Sequence, residues 1–347
     1  MKSNKINIYE IAKEAKVSPA TVSRVLNNST PVSEEKKNRV LRVIKKYEFK
    51  PNILARRLSL NQSNTIGIMV ADIRNPFYAA LFIECEIAAN AKEYTVLLCN
   101  SLGKNELEDS HLENLYEQRV DAIIQIGGRV DEIVTNENYL RHVEKIVEHI
   151  PIVITGKLDG CDYTSISLNE SKAMEEVFEY LISLGHKEIS LIGGRKDVKS
   201  TYEKMFKYRE LIKKHGLDYK KEWVVEGKGY DMESGYECMN KLFEKSISIP
   251  TSVIAINDFT AIGVIKSIKE HGLSIPNDIS LASFDNTFVS EASSPRLTSI
   301  SYDYKAFGEA LIQAAIDSIN GKKAYKKLIN CELIIRDSCK EIENFSK

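Results

Sequence analysis

The stretch IYEIAKEAKVSPATVSRVLNN, residues 8–28, decides how the chain opens. Ile8, Ile11, Ala12 and Ala15 recur at helical spacing, which predicts a first helix with one apolar face. Lys16-Val17 then forms a tight connection, and Ser18 followed by Pro19 reads as an N-cap with proline at N1, where a missing N–H costs nothing. The second helix buries Val22, Val25 and Leu26 and stops at Asn27-Asn28. Beyond STPV, Ser33 is placed to cap a third helix, with Glu34 and Glu35 in its first turn and Lys45 and Lys46 in its last, as the helix dipole favours. Its expected buried stripe is Val40, Leu41, Ile44 and Tyr47.

Three short helices with a tight turn between the first two make a helix-turn-helix head. The second helix is poor in apolar residues because one side must lie in a DNA groove. Pro19 and Ala20 are slim enough to approach base edges, Thr21 and Ser23 can bond phosphates, and Arg24 can fork onto guanine. Charge agrees: residues 1–60 hold nine Lys and five Arg against five Glu, a net of +9, whereas residues 61–347 carry a net of −10. So uneven a distribution points to a polyanionic partner for the first segment.

Over the whole chain the composition is that of a globular protein, with 347 residues, 43% hydrophobic and 28% charged. No apolar run follows the polar start MKSNKINIYE and none approaches the roughly 18 residues of a membrane span, so a cytoplasmic protein is expected. The six cysteines form no C-x-x-C pair and the six histidines no metal-site spacing, which predicts neither metal nor cofactor. The glycine pairs at 126–128 and 192–194 are not phosphate loops, no nucleophile elbow occurs, and no enzyme is expected.

From residue 65 strands and helices alternate. TIGIMV, YTVLLC, DAIIQI, IPIVIT, EISLIG, EWVVEG, TSVIAI and ISLASF read as buried strands, and stretches such as SKAMEEVFEYLISLG and DFTAIGVIKSIKEHG as the helices between them. This is the pattern of a doubly wound parallel α/β core, and the number of units calls for two lobes. Ligands of such sheets bind beyond the carboxyl ends of strands. There the sequence places Asp72, Phe77 and Tyr78 after TIGIMV, Ser200 and Lys204 after EISLIG, Tyr230 after EWVVEG, Asn257 and Asp258 after TSVIAI, and Asp285 after ISLASF. Carboxylates, amides and rings together suit a polyhydroxylated ligand.

Residues 8–59, ending in KPNILARRLS, resemble the DNA-binding head of the LacI/GalR family of bacterial transcription regulators, and the pattern continues to about residue 339. The resemblance implies a head over 1–50, a hinge helix and linker over 51–63, and a core over 64–340 with the two-lobed fold of periplasmic binding proteins, followed by a tail. The N-lobe is expected at about 64–165 and 300–325 and the C-lobe at about 166–299 and 326–340. NILARRLS is too short to be helical alone in water; the family implies that it folds on the operator, where Leu58 would wedge into the minor groove, Ala55 allow close approach, and Arg56 and Arg57 meet phosphates. A homodimer on a near-palindromic operator is implied, since the tail RDSCKEIENFSK is too short for a zipper.

The same resemblance implies a repressor controlled by a sugar or sugar derivative held between the lobes at the residues named above. Two departures stand out. Lys204 occupies a position where most members carry Arg, and Thr155-Gly156-Lys157 follows PIVI where several carry an acid. With Arg195, Lys196 and Lys199 nearby, a phosphorylated or acidic sugar enters consideration. Residues 82–101, FIECEIAANAKEYTVLLCNS, loosely resemble the subgroup that answers to a phosphorylated carrier protein as coeffector.

Overall fold

The computed structural model describes residues 6–27, 31–47, 49, 63–160, 162–245 and 248–342. The chain divides into two compact units, residues 1–63 and 64–347.

The first unit holds α1 (Ile8–Glu14), α2 (Pro19–Asn27) and α3 (Glu34–Lys46) around a small core of Ile11, Ala12, Ala15, Val22, Val40 and Val43. Asn7 caps α1 by accepting from the backbone of Tyr9 and Glu10 while Glu10 accepts from the Asn7 N–H, a reciprocal box that satisfies three end groups. Lys16 turns the chain at φ +52, and Ser18 Oγ accepts from Thr21 N at 3.1 Å. Lys46 reaches back to Glu14 at 2.7 Å, tying α3 to α1. Two expectations fail here. Ser33 holds the N-cap position of α3 but makes no capping bond. Leu41 and Tyr47 are 44% and 43% exposed, since the inward stripe runs through Val40 and Val43 with Ile44 beside them. A 13-residue helix laid on two short ones buries a narrower stripe than its apolar count suggests.

The second unit contains two six-stranded sheets. In the first, β1 (Thr65–Val70), β2 (Thr95–Asn100), β3 (Ala122–Ile126), β4 (Ile152–Ile154), β5 (Thr164–Leu168) and β11 (Lys326–Ile329) run parallel in the order β11-β5-β4-β3-β1-β2. In the second, β6 (Ile189–Ile192), β7 (Val224–Val225), β8 (Ser252–Ala255), β9 (Ser280–Asp285), β10 (Thr298–Tyr302) and β12 (Cys331–Ile334) take the order β12-β10-β9-β8-β6-β7, with only β12 antiparallel.

Each sheet is covered on both faces, which is why its central strands read as continuous apolar runs. On the first, α4 (Pro76–Asn90) and α12 (Tyr304–Ile319) bring Leu81, Cys85, Phe307 and Leu311 to one face, and α5 (Asn105–Glu117) and α6 (Glu137–Val147) bring Leu112, Leu115, Tyr139 and Val143 to the other. On the second, α7 (Glu170–Ser183) and α8 (Lys199–Lys214) face α9 (Met232–Lys245) and α10 (Asp258–Glu270) across the strands, and a short α11 (Phe288–Ala292) follows β9. Among the described residues no helix is long and apolar enough to cross a membrane.

The chain passes between sheets three times, after Leu168, after Tyr302 and after Ile329, where about 165, 300 and 326 were expected. The difference falls on strands that carry little apolar signal. TSISL and TSISY are built from Ser and Thr, and the edge strand KKLI, expected in the C-lobe, pairs with β5 in the first sheet. The first two crossings lead straight into helix caps: Asn169 accepts from Lys172 N and Asp303 from Ala306 N, both at caps that fix where the next helix begins.

Candidate nucleic-acid interface and ligand cleft

In the head, Ser18, Pro19, Ala20 and Arg24 are exposed, and Thr21 and Ser23 are partly so. The buried side of α2 is supplied by Val22, with Val25 and Leu26 packed at the margin. The face opposite the core therefore presents small side chains around one guanidinium. Thr21 Oγ1 lies 2.9 Å from Ser18 Oγ, so the two hydroxyls are already paired before any phosphate is met. Asn27 ends α2. The hinge residues Ala55, Arg56 and Leu58 lie outside the described residues.

In the second unit the carboxyl ends of both sheets open on one cavity of about 890 Å³. Its wall includes Asp72, Phe77, Tyr78, Ser200, Lys204, Tyr230, Asn257 and Asp285, so residues spread over more than 200 positions are brought together. The parallel strands impose this convergence, since every loop after a strand emerges on the same side.

Each wall residue is held by its own local device. Asn75 caps α4 through Phe77 N, with Pro76 at N1, and this sets Phe77 and Tyr78 at the opening turn. The two rings meet edge-on at 5.3 Å, and Phe77 also packs against Tyr304 at 5.9 Å. Tyr78 Oη would stand 2.5 Å from a Cβ on Gly127, whose φ is +76, so the turn after β3 requires glycine. Burial raises the Tyr78 hydroxyl well above its ordinary pKa. Tyr230 is fixed by Thr201 Oγ1 at 2.8 Å and by the Arg195 N–H, and burial pushes it up to about 12. Asn257 caps α10 by accepting from Thr260 N, and its amide donates to the Tyr230 carbonyl at 3.1 Å. Arg74 clamps Asp72 and holds its carboxyl below the usual range.

Asp285 and Asn286 both adopt positive φ, +95 and +46, a conformation that costs a non-glycine residue about 1 kcal/mol or more. The surroundings enforce it. Tyr304 Oη donates to the Asp285 carbonyl, Asn286 N donates to Ser299 Oγ, and Arg336 donates to Asn286 Oδ1 at 2.7 Å. The strained turn leaves the Asp285 carboxyl in the wall with no hydrogen bond from the described residues, and burial, followed by the charge of Asp258, raises its pKa well above the ordinary value.

Asp258 corrects an expectation. It is 1% exposed and lies behind the wall, accepting from Ser283 Oγ, Ser299 Oγ, Thr287 N and Thr287 Oγ1 at 2.6–3.1 Å. All its acceptor sites are used to join α10, β9, β10 and the segment before α11, so its carboxylate is spent on bracing the fold behind the cavity. Burial still pushes it up to about 6.

Lys204 is nearly buried. Its ammonium is bonded to Glu170 and lies 4.8 Å from the centre of the Phe284 ring. Glu170 also accepts from Tyr302 Oη at 3.1 Å. Glu170, the first residue of α7, was not singled out in the sequence. Its signal was the N-cap Asn169 just after a strand, but the strand itself was unread. Asp131, in a 3-10 turn after β3, was missed as well; burial raises it to about 7. Neighbouring Arg129 is locked between Glu108 at 2.7 Å and Asp109 at 2.7 Å, with its guanidinium over the Tyr139 ring. The basic loop residues are paired too: Arg195 with Asp197, Lys196 with Glu226 at 3.3 Å, Lys199 with Glu203 at 2.9 Å, and Lys157 with Asp159 at 2.7 Å.

Comparison with known proteins agrees with both halves of this geometry. Residues 7–52 match the family described as bacterial regulatory proteins, lacI family, and residues 178–339 match the periplasmic binding protein-like domain. Catabolite control protein A of Priestia megaterium is 33% identical over 298 residues, covering 85% of this chain and 87% of that protein. The HTH-type transcriptional repressor PurR of Pasteurella multocida is 32% identical over 343 residues, covering 96% and 98%. A lac repressor dimer bound to operator and the anti-inducer ONPF superimposes with a TM-score of 0.83 at 22% identity, over 97% of this chain and 100% of that one. With a helix-turn-helix head joined to a two-lobed core, the chain belongs to the lacI family of bacterial DNA-binding transcription regulators.

Proposed function

We propose that the protein is a dimeric repressor that grips a near-palindromic operator with two heads and releases or tightens it according to a small molecule held between the lobes. The observation that carries this reading is the cavity: a wall of rings, amides and carboxylates drawn from both sheets suits a polyhydroxylated ligand such as a sugar. In the head, Arg24 would read a base, Pro19 and Ala20 would pack on base edges, and Ser18, Thr21, Ser23 and Asn27 would meet backbone or base oxygens. Ala55, Arg56 and Leu58 would serve the minor groove. A ligand touching both lobes biases their closure, and its effect on DNA is limited by its differential affinity for the two core states. The protein would act in the cytoplasm, where the chromosome lies. A second reading, a protein coeffector docking on the core, is favoured by exposed Ile83 and Ile87 within the 82–101 segment.

Selection from randomised duplexes tests the DNA half: a two-fold symmetric site is expected, and indifference to all duplexes at modest ionic strength overturns it. Asp285→Ala tests the ligand half. It should abolish the response to a small molecule that shifts operator affinity while leaving ligand-free operator binding in place, and an unaltered response removes Asp285 from the site.

A further inference from the structure

We infer that the cleft selects its ligand by charge: it takes an unphosphorylated, hydroxyl- or amino-bearing small molecule and rejects phosphorylated and carboxylated ones, with Glu170 as the residue that sets the rule. The inference rests on the reading of the cleft as an effector site and goes further, since neither the fold nor the family specifies the ligand's charge.

An anionic ligand needs a cation whose charge is not already spent. The deepest cation in the wall is Lys204, and Glu170 neutralises it at direct contact, with Tyr302 Oη holding the carboxylate in place. Arg129 is fully engaged by Glu108 and Asp109. At the mouth, Arg195 and Lys199 each face their own acid. Lys104 is the remaining basic wall residue without an ion pair among the described residues, and it stands exposed at the start of α5 beside Glu106.

Two wall carboxylates show the opposite pattern. Asp285 is 9% exposed, lines the cavity and accepts no hydrogen bond at its carboxyl from the described residues. Asp131 lines the same cavity from the other sheet and accepts none either among the described residues. Acceptors left open in the wall, with Asp285 buried and Asp131 half-buried, call for donors. Hydroxyl or ammonium groups supply them, whereas a phosphate or carboxylate brought to the same place offers few donors and adds negative charge beside carboxyls that burial already disfavours as anions. Specificity here is built from repulsion as much as attraction. Because Asp131 and Asp285 belong to different lobes, one donor-rich ligand bonded to both would also favour closure.

The test uses the full-length protein, with melting temperature and operator affinity followed against inorganic phosphate and three matched sets: glucose, glucosamine and glucose 6-phosphate; ribose and ribose 5-phosphate; galactose and galacturonate. In any set that registers, the neutral or amino member should bind at least tenfold tighter than its acidic counterpart. Inorganic phosphate should stabilise the wild type no more than chloride of equal ionic strength, and Glu170→Gln, which frees Lys204, should bind phosphate at least tenfold better. An acidic member binding as tightly as its neutral partner, phosphate binding to the wild type, or a folded Glu170→Gln protein that gains no phosphate affinity overturns the rule. Should Glu170→Gln fail to fold, the wild-type phosphate arm decides. A neutral member that binds yet leaves operator affinity unmoved upholds the charge rule and removes the control of DNA by the cleft.

Discussion

The recognition helix and the cleft solve opposite problems. On α2, Ser18, Pro19, Ala20 and Arg24 stand in water, while in the cleft Lys204, Asn257 and Asp285 are almost wholly buried. A duplex is large and brings its own charge, so its reader needs only to present donors on a firm scaffold. A small ligand must be enclosed, and the enclosing polar groups lose water before the ligand arrives. The head can therefore present its side chains at little cost to stability, whereas the cleft is braced from behind: Asp258 ties α10 to β9 and β10, Glu170 pairs with Lys204, and Arg336 holds Asn286 beside Asp285.

That contrast can be broken most sharply at Asp258. Asp258→Ala strands the Ser283, Ser299 and Thr287 donors, and with about 1–3 kcal/mol for each buried group left unpaired the core should lose about 3 kcal/mol or more. Chemical denaturation of the full-length protein measures it; a loss under about 1 kcal/mol would deny Asp258 its bracing role. Arg24→Ala makes the complementary change. It should leave folding untouched and reduce discrimination between operator variants by about 1–3 kcal/mol per half-site contact, with a smaller loss on unrelated duplex. Equal losses on all sequences would make Arg24 a phosphate contact.

A pH series separates the regions further. The Asp131 carboxyl moves from 3.8 to about 7 on folding, chiefly by burial, with Lys199 opposing. A raised carboxyl stabilises the fold most below its unfolded value and loses that contribution as pH rises through the folded one. Asp131→Asn should therefore gain stability relative to wild type between about pH 4 and pH 7, and a difference that does not change with pH refutes the shift. The smallest effect lies in the head. Ser18→Ala removes a made cap and should cost about 1 kcal/mol, whereas Ser33→Ala, whose hydroxyl caps nothing, should cost less than about 0.5 kcal/mol. Equal losses would mean that Ser33 caps its helix in solution.

How far the sequence could be read follows the range of the interactions. The head helices were legible because capping and apolar spacing act within four residues. The strands TIGIMV, DAIIQI and ISLASF were legible because a strand covered on both faces must be apolar throughout. TSISL, TSISY, KKLI and CELI were not, since their burial comes from partners distant in the chain. The cleft residues were placed by one rule, that loops follow strands on a common side. The rule could not tell Asp285, which faces the cavity, from Asp258, which faces away: each follows a strand, and only the fold directs one to four hydroxyl and amide donors.

By itself, then, the sequence determined a basic three-helix head, a βα-alternating core and the loops where a ligand would lie, because these depend on local periodicity and on charge totals. Tertiary structure decided which polar groups are spent and which are open. Lys204 is paired with Glu170, Asp258 gives its lone pairs to its neighbours, and the Asp285 carboxyl keeps its own among the described residues. The reason is that hydrogen-bond capacity is used up pairwise across the fold, by partners 25 to 41 positions away in these cases.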